Sequence, residues 1–441
     1  MHSRVRLITE KAVSRSPRAR ALVRAGLHAT RSLSYRFICS HTRPDPALVV
    51  FECYAGRGYS CSPRAIYREM LADPRFAGYT FVWAFREPLL GALRAALLPD
   101  AEERAGDGLA FGPDAPAELS RAILVEYASR EYYEMHARAG QWIANFILPT
   151  HMHVRGGQNY LQTWHGTPLK RLGCDLAPDK RNAMYAVREI HRRYTREGAR
   201  FTHLVSPSPY TSSRLASAFG LSAERAANVI IEQGYPRNDF LHTVTDAQCA
   251  AIKKRLSIPD GKTVVLYAPT FRDDQRHAGI GYTIDTGIDF PAFVNQLGQT
   301  HVLLFRAHYL VASQVDFSAF GSAVIDVSDV SDINELYAVS DLLVTDYSSV
   351  FFDYANLGRP IVFFPYDLER YAEELRGFYL DVSALPGPIA RTQAELVEAI
   401  VALSEHPGSA AGTLERFRAE FLPLDDGHAA RRVIDALLGD A

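Results

Sequence analysis

Short apolar runs alternate with amphipathic stretches along most of this chain, and that alternation sets the first expectations. Ala47 to Glu52, Tyr79 to Phe85, Ile123 to Tyr127, Trp142 to Phe146 and Tyr160 to Thr163 read as buried strands, with helices such as Pro63 to Leu71 between them. The pattern then restarts. Leu204 to Val205, Val229 to Ile231, Val264 to Tyr267, Val302 to Phe305, Ala323 to Val327, Leu342 to Thr345 and Ile361 to Phe364 alternate with helices at Asp246 to Leu256, Phe290 to Leu297, Ile333 to Val339 and Ala394 to Leu403. Continuous apolar strands separated by helices predict parallel sheets covered on both faces. The expected class is therefore α/β, with two doubly wound sheets facing across a cleft. A boundary is expected near Phe201 to Pro209, dividing residues 47–205 from 206–441, and Ala429 to Leu438 forms a final helix expected to pack back toward the first unit.

Ligands of such sheets sit at the carboxyl ends of strands. Leu342 to Val344 runs into Thr345-Asp346-Tyr347-Ser348-Ser349 and then a helix over Val350 to Leu357, which Gly358 and Pro360 stop. A strand, a hydroxyl-rich turn and a helix start in that order favour phosphate oxygens. An ordinary N-cap explains the same hydroxyls equally well.

Composition narrows the class further. The 441 residues suit two domains, and 47% hydrophobic with 22% charged residues is the balance of a globular protein. Five scattered cysteines, with no C-x-x-C pair and no histidine at zinc spacing, point to a reducing compartment and no structural metal. No D-x-D pair occurs, so no metal or cofactor is expected. The first 46 residues carry a net charge of +8 and the remainder −10. Apolar residues are interleaved with the arginines of this leader in helical rhythm, which suits an anionic membrane surface; a disordered targeting arm or a nucleic-acid tail is the other reading. No apolar run reaches the roughly 20 residues of a bilayer span.

Several motifs occur in one order: Phe51-Glu52-Cys53-Tyr54 through Ser62-Pro63-Arg64-Ala65-Ile66-Tyr67, Tyr160-Leu161-Gln162-Thr163-Trp164-His165-Gly166-Thr167-Pro168-Leu169-Lys170, Gly234-Tyr235-Pro236-Arg237-Asn238-Asp239, Tyr267-Ala268-Pro269-Thr270-Phe271-Arg272, Arg306-Ala307-His308, Arg376-Gly377-Phe378-Tyr379 and Asp426-Gly427. Together they resemble the CDP-glycerol glycerophosphotransferase family, the primases and polymerases of teichoic-acid-like poly(glycerol phosphate) chains. The resemblance spans Val49 to Arg432. It implies a GT-B fold of two Rossmann-like domains, a CDP-glycerol donor, and a lipid-linked acceptor of undecaprenyl-diphosphate type at the cytoplasmic face of the membrane, with no role for nucleic acid. One departure is visible: where the family usually has Ser-Asp-Asn-Pro, this chain has Ser60-Cys61-Ser62-Pro63.

The resemblance also implies roles. His165 and His308 become catalytic candidates, one as base for the attacking hydroxyl and one for the donor diphosphate. By itself each histidine reads more simply as a satisfied structural residue. Thr270, Arg272, Arg306, Asp332, Glu335, Thr345, Ser348, Ser349 and Asp353 are donor-side candidates; a surface salt bridge is the plainer reading of Arg272, and a solvated helix face that of Glu335. Gly56, Gly58, Tyr59 and Lys170 are acceptor-side candidates. Other readings keep different chemistry: a nucleotide-sugar glycosyltransferase, a ribitol phosphotransferase, or an inactive membrane-docking scaffold.

Overall fold

The computed structural model describes residues 17–98, 111–177, 186–270, 276–277, 281–282, 287–306, 317–366, 377–381 and 384–438. Seven parallel strands form the first sheet: β1 (Asp45–Glu52), β2 (Thr80–Phe85), β3 (Ala122–Glu126), β4 (Ala139–Ala144), β5 (Asn159–Gln162), β6 (His203–Ser206) and β7 (Ile230–Glu232). Their spatial order is β3-β2-β1-β4-β5-β6-β7. After β8 (Thr263–Tyr267) and a two-residue ladder of β9 (Arg276–His277) and β10 (Gly281–Tyr282), the second sheet is completed by β11 (His301–Phe305), β12 (Val324–Asp326), β13 (Leu342–Thr345) and β14 (Ile361–Phe363). Its order is β12-β11-β8-β13-β14, again all parallel. Strands such as His301–Phe305 are buried along their whole length because helices cover both faces, which is why they read as unbroken apolar runs.

The two parallel sheets agree with the expected class, but the division between them does not fall where the sequence pattern placed it. β6 pairs with β5 through Leu161↔His203 and Gln162↔Leu204, and β7 pairs with β6. Both strands, expected to open the second sheet, therefore close the first, and the 205/206 division falls inside β6. Periodicity reports burial and not partnership, so it carries no mark of which sheet a strand joins. The change of sheet occurs across residues 233–262, where the helices Asp239–Thr243 and Asp246–Arg255 intervene without a strand. Thr245 and Gln248 form a reciprocal capping box at the second of these.

The final helix, Ala429–Leu438, crosses back to the first sheet. Val433, Ile434 and Leu437 pack in one cluster with Phe51, Tyr67 and Met70, while Asp239 accepts the N–H groups of Ala429 (2.9 Å) and Ala430 (2.7 Å) at the helix start. The leader is partly built into the body. Pro17–Ser40 is one helix, whose Tyr35 and Cys39 lie in the core with Trp142 and Tyr160, and Arg155 donates to the carbonyl of Thr42 at 3.0 Å. Its outer side leaves Val23, Leu27, Leu33 and Phe37 between 45% and 67% exposed. At 100° per residue these four share one stripe. Among the described residues no helix is long and apolar enough to cross a membrane.

Candidate active site in the cleft

Each sheet has a point where strand order reverses, between β1 and β4 in the first and between β8 and β13 in the second. Chain leaving neighbouring strands there diverges to opposite faces, opening a crevice beyond the strand ends. The two crevices face each other. The chain after β5 supplies one wall, and the turns after β8 and β13 the other. Between them lies a cavity of about 170 Å³ lined by His165, Gly166, Lys170, Thr270, Ser348 and Ser349, among others.

His165 is held by its own turn. Trp164 adopts φ +51, a left-handed conformation uncommon for a large side chain, and its N–H donates to Gln162 Oε1 at 3.0 Å. The imidazole then lies against the Trp164 ring (centroids 4.2 Å apart), with Tyr54 and Phe146 each at 5.9 Å. Nδ1 is 2.7 Å from the backbone oxygen of Asn145. A carbonyl only accepts, so Nδ1 carries the hydrogen and Nε2 keeps its lone pair. Burial pulls this imidazole down to about 4; the Asn145 bond opposes that, and the Arg237 charge acts with it. At neutral pH the ring is an uncharged acceptor.

On the opposite wall, Ser349 is the N-cap of the helix Val350–Tyr354, yet its side chain makes no capping bond. Ser348 and Ser349 both line the cavity. Thr270 is tethered from beneath, its N–H donating to Asp346 Oδ1 at 2.8 Å, and Lys170 Nζ lies 3.5 Å from Thr270 Oγ1. Asp346 also accepts the N–H of Tyr347, so one buried carboxylate holds the turns after β8 and β13 together. Asp346 was not among the expected site residues; its signal was a carboxylate directly after an apolar strand.

The remaining expected residues divide by what they touch. Thr345 is fully buried and donates to the Ala268 carbonyl at 2.8 Å, so its hydroxyl joins two strands instead of facing a ligand. Asp353 accepts Arg237 at 2.7 and 3.1 Å and Asn238 at 3.1 Å, which leaves it a structural partner and not a reader of hydroxyls. Glu335 is paired with Arg255. Asp332 caps the helix Ile333–Val339 and lies 3.7 Å from Arg64, an ion pair reaching from the second sheet's side to the first. Arg306 is half-buried and donates to the carbonyls of Val327 (3.2 Å) and Val330 (2.6 Å), shaping the loop after β12. Tyr59 is buried, donating to Glu118. Gly56 has φ +79 and Tyr127 Cβ 2.9 Å from where a side chain would start, so its glycine is explained by packing. Gly58 lies in the same turn and is not among the residues that line the cavity. Arg272 and His308 lie outside the described residues.

A larger hollow of about 600 Å³ lies by the helix Gln393–Glu405, lined by residues such as Leu385, Ile389 and Leu403 with Glu395 and Glu398 and no basic side chain. That lining does not suit a diphosphate. Among the described residues no group of three His, Cys, Asp or Glu side chains is arranged to hold a metal ion.

Comparison with known proteins bears on the whole of this architecture. The family model for CDP-glycerol:poly(glycerophosphate) glycerophosphotransferase matches residues 34–439. The teichoic acid poly(glycerol phosphate) polymerase of Bacillus subtilis (strain 168) is 36% identical over 391 residues, covering 88% of this chain and 48% of that protein, so the chain spans about half of that relative's length. The teichoic acid glycerol-phosphate transferase of Staphylococcus aureus (strain NCTC 8325 / PS 47) is 35% identical over 397 residues, covering 89% of this chain and 93% of that one. A solved structure of the wall teichoic acid polymerase TagF superposes with a TM-score of 0.79 at 32% identity, covering 94% and 95% of the two chains, and a histidine-to-asparagine variant soaked with CDPG gives 0.78. With a family model matched over nearly its full length and a TagF-like, GT-B-type pair of sheets, the chain belongs to the CDP-glycerol:poly(glycerophosphate) glycerophosphotransferase family.

Proposed function

We propose that this chain transfers glycerol phosphate from CDP-glycerol to a hydroxyl of a lipid-linked acceptor, releasing CMP. The observation that carries the reading is the pairing, across one cleft, of a neutral imidazole with free Nε2 and a wall of uncommitted hydroxyls at Ser348 and Ser349. His165 Nε2 accepts the proton of the acceptor hydroxyl. The oxygen attacks the glycerol-bearing phosphorus in line, the bridging P–O bond breaks, and CMP leaves with its electron pair. Asn145 holds the tautomer this needs, and Lys170, Thr270 and the serines take the diphosphate. His308 is retained as a second catalytic candidate on the resemblance alone. Family membership supports the donor class, as does the CDPG soak of the TagF variant.

The acceptor's lipid gives the leader a function. Val23, Leu27, Leu33 and Phe37 form an exposed apolar stripe on the helix Pro17–Ser40, with Arg31 and Arg36 also exposed on it. We read this helix as lying in the interface of an anionic membrane at its cytoplasmic face, bringing the cleft to lipid-linked substrate.

The test is a panel of CDP-glycerol, CDP-ribitol and nucleotide sugars, offered with a synthetic lipid-linked acceptor and read by product mass. CDP-glycerol-dependent CMP release with addition of one glycerol phosphate unit is the expected result. Release of a nucleoside diphosphate instead would assign the chain to sugar transfer.

A further inference from the structure

Arg237 sits in the segment that joins the two sheets, and its guanidinium is only partly used. Nε and Nη2 clasp Asp353 at 3.1 and 2.7 Å, the head lies 3.9 Å over the Tyr235 ring, and the residue is 5% exposed. The backbone is pinned as well, since Asn334 donates to the Arg237 carbonyl. Against all this fixation, Nη1 is buried with no hydrogen-bond partner. A purely structural arginine gains nothing from a buried, unanswered donor, which costs stability.

Asp353 follows Ser349 by one turn in the short helix Val350–Tyr354, so the clasp ties Arg237 to the helix whose first turn carries the cleft serines, although Arg237 itself does not line the cavity. The charge also bears on Tyr54, Cys61 and His165, which come from the first sheet's turns. A planar guanidinium with one edge locked on a carboxylate presents its other arm in fixed direction, a preorganised donor for a phosphate oxygen.

Resting on the transfer reaction proposed above, we propose that Arg237 is a further catalytic residue, whose free Nη1 donates to a non-bridging oxygen of the phosphoryl group as it passes from CMP to the acceptor. Asp353 is its positioning partner. No proton moves through Arg237, which stays charged; the proton of the attacking hydroxyl goes to His165, and the electron pair of the broken P–O bond leaves on CMP.

Full-length Arg237→Lys and Arg237→Met test this against the parent, with melting temperature, kcat and KM for CDP-glycerol, and the pH profile of kcat/KM. We expect kcat to fall by at least about tenfold in Arg237→Lys and by about 10² to 10⁴ in Arg237→Met, with donor KM within about threefold. Loss of the charge in Arg237→Met also moves the acid limb of kcat/KM to higher pH, because the imidazolium of His165 then forms more readily; Arg237→Lys keeps the limb in place. A folded Arg237→Met with kcat within threefold of the parent overturns the proposal, as does a loss confined to KM or to melting temperature with the acid limb unmoved. Should Arg237→Met fail to fold, an Arg237→Lys kcat within threefold overturns it alone. A parent that releases no CMP from CDP-glycerol overturns the transfer reading and this inference together, whereas normal parental release with unaffected variants overturns the inference only.

Discussion

Ser349 Oγ stands 3.2 Å from the point that a methyl group on Gly166 would occupy. The turn after β5 and the hydroxyl wall of the second sheet therefore meet so closely that a methyl group there requires Ser349 to give by a few tenths of an ångström. Gly166 has no positive φ, so Gly166→Ala is conformationally allowed and acts through the cleft alone. We expect a melting temperature within a few degrees of the parent and a loss of donor affinity of about three- to tenfold as Ser349 is displaced. Titration calorimetry with CDP-glycerol measures it; unchanged affinity would show that this contact does not border the donor.

His165→Ala should lower kcat by about 10² to 10⁴ without unfolding the chain. Because burial holds the imidazole near 4, the neutral base persists as pH falls through the ordinary histidine range, and it is lost only as pH approaches 4. The acid limb of kcat/KM is expected well below pH 6.5. A limb at 6.5 that survives in folded His165→Asn would assign the titration to another group.

Ser348→Ala with Ser349→Ala should weaken CDP-glycerol binding by about tenfold, since these hydroxyls line the cavity and Ser349 makes no cap. A parallel Thr345→Ala variant should lose stability, its hydroxyl being spent on Ala268. Reversal of those two phenotypes would exchange the assigned roles.

Glu52 is buried in β1, accepts the Tyr132 hydroxyl at 2.6 Å, and is pushed up to about 8 by desolvation. A carboxyl raised on folding contributes stability that is complete below its unfolded value near 4.5 and is lost as pH rises through about 8. Glu52→Gln removes that dependence. The melting temperature of the variant relative to the parent should therefore climb between pH 5 and pH 9, by at least about 5 °C; a constant difference would mean that Glu52 stays ionised in the folded chain.

Leu33→Asp with Phe37→Asp places charge on the two most exposed positions of the leader stripe, at 67% and 66%. Neither residue packs in the core, so folding should be unaffected while co-sedimentation with anionic vesicles falls by about tenfold or more. Raised salt should weaken parental binding in part. Undiminished binding by the double variant would leave the leader without a membrane role.

Much of the architecture was legible because burial on both faces of a parallel strand writes an unbroken apolar run. Val264 to Tyr267 and Val302 to Phe305 were found that way, and each lies within one residue of its observed strand. The stop after Leu357 was equally local: Gly358 takes φ +63, which few other residues accept. His165 was legible as the polar residue following a strand into a Gly-Pro turn.

What stayed hidden depends on partners distant in sequence. Nothing near His203 or Ile230 states that β6 and β7 pair outward from β5, since an apolar strand suits either sheet. Asp353 and Thr345 looked like ligand contacts because a carboxylate or hydroxyl beside a strand end is available until something else binds it; Arg237, 116 residues away, and Ala268, 77 away, had already done so. The sequence thus determined most of the elements, the family and the place of His165 in its turn, all readable from neighbours in the chain. Tertiary structure alone decided which polar groups remain uncommitted in the cleft, because a hydrogen-bonding group is free only if no distant part of the chain satisfies it.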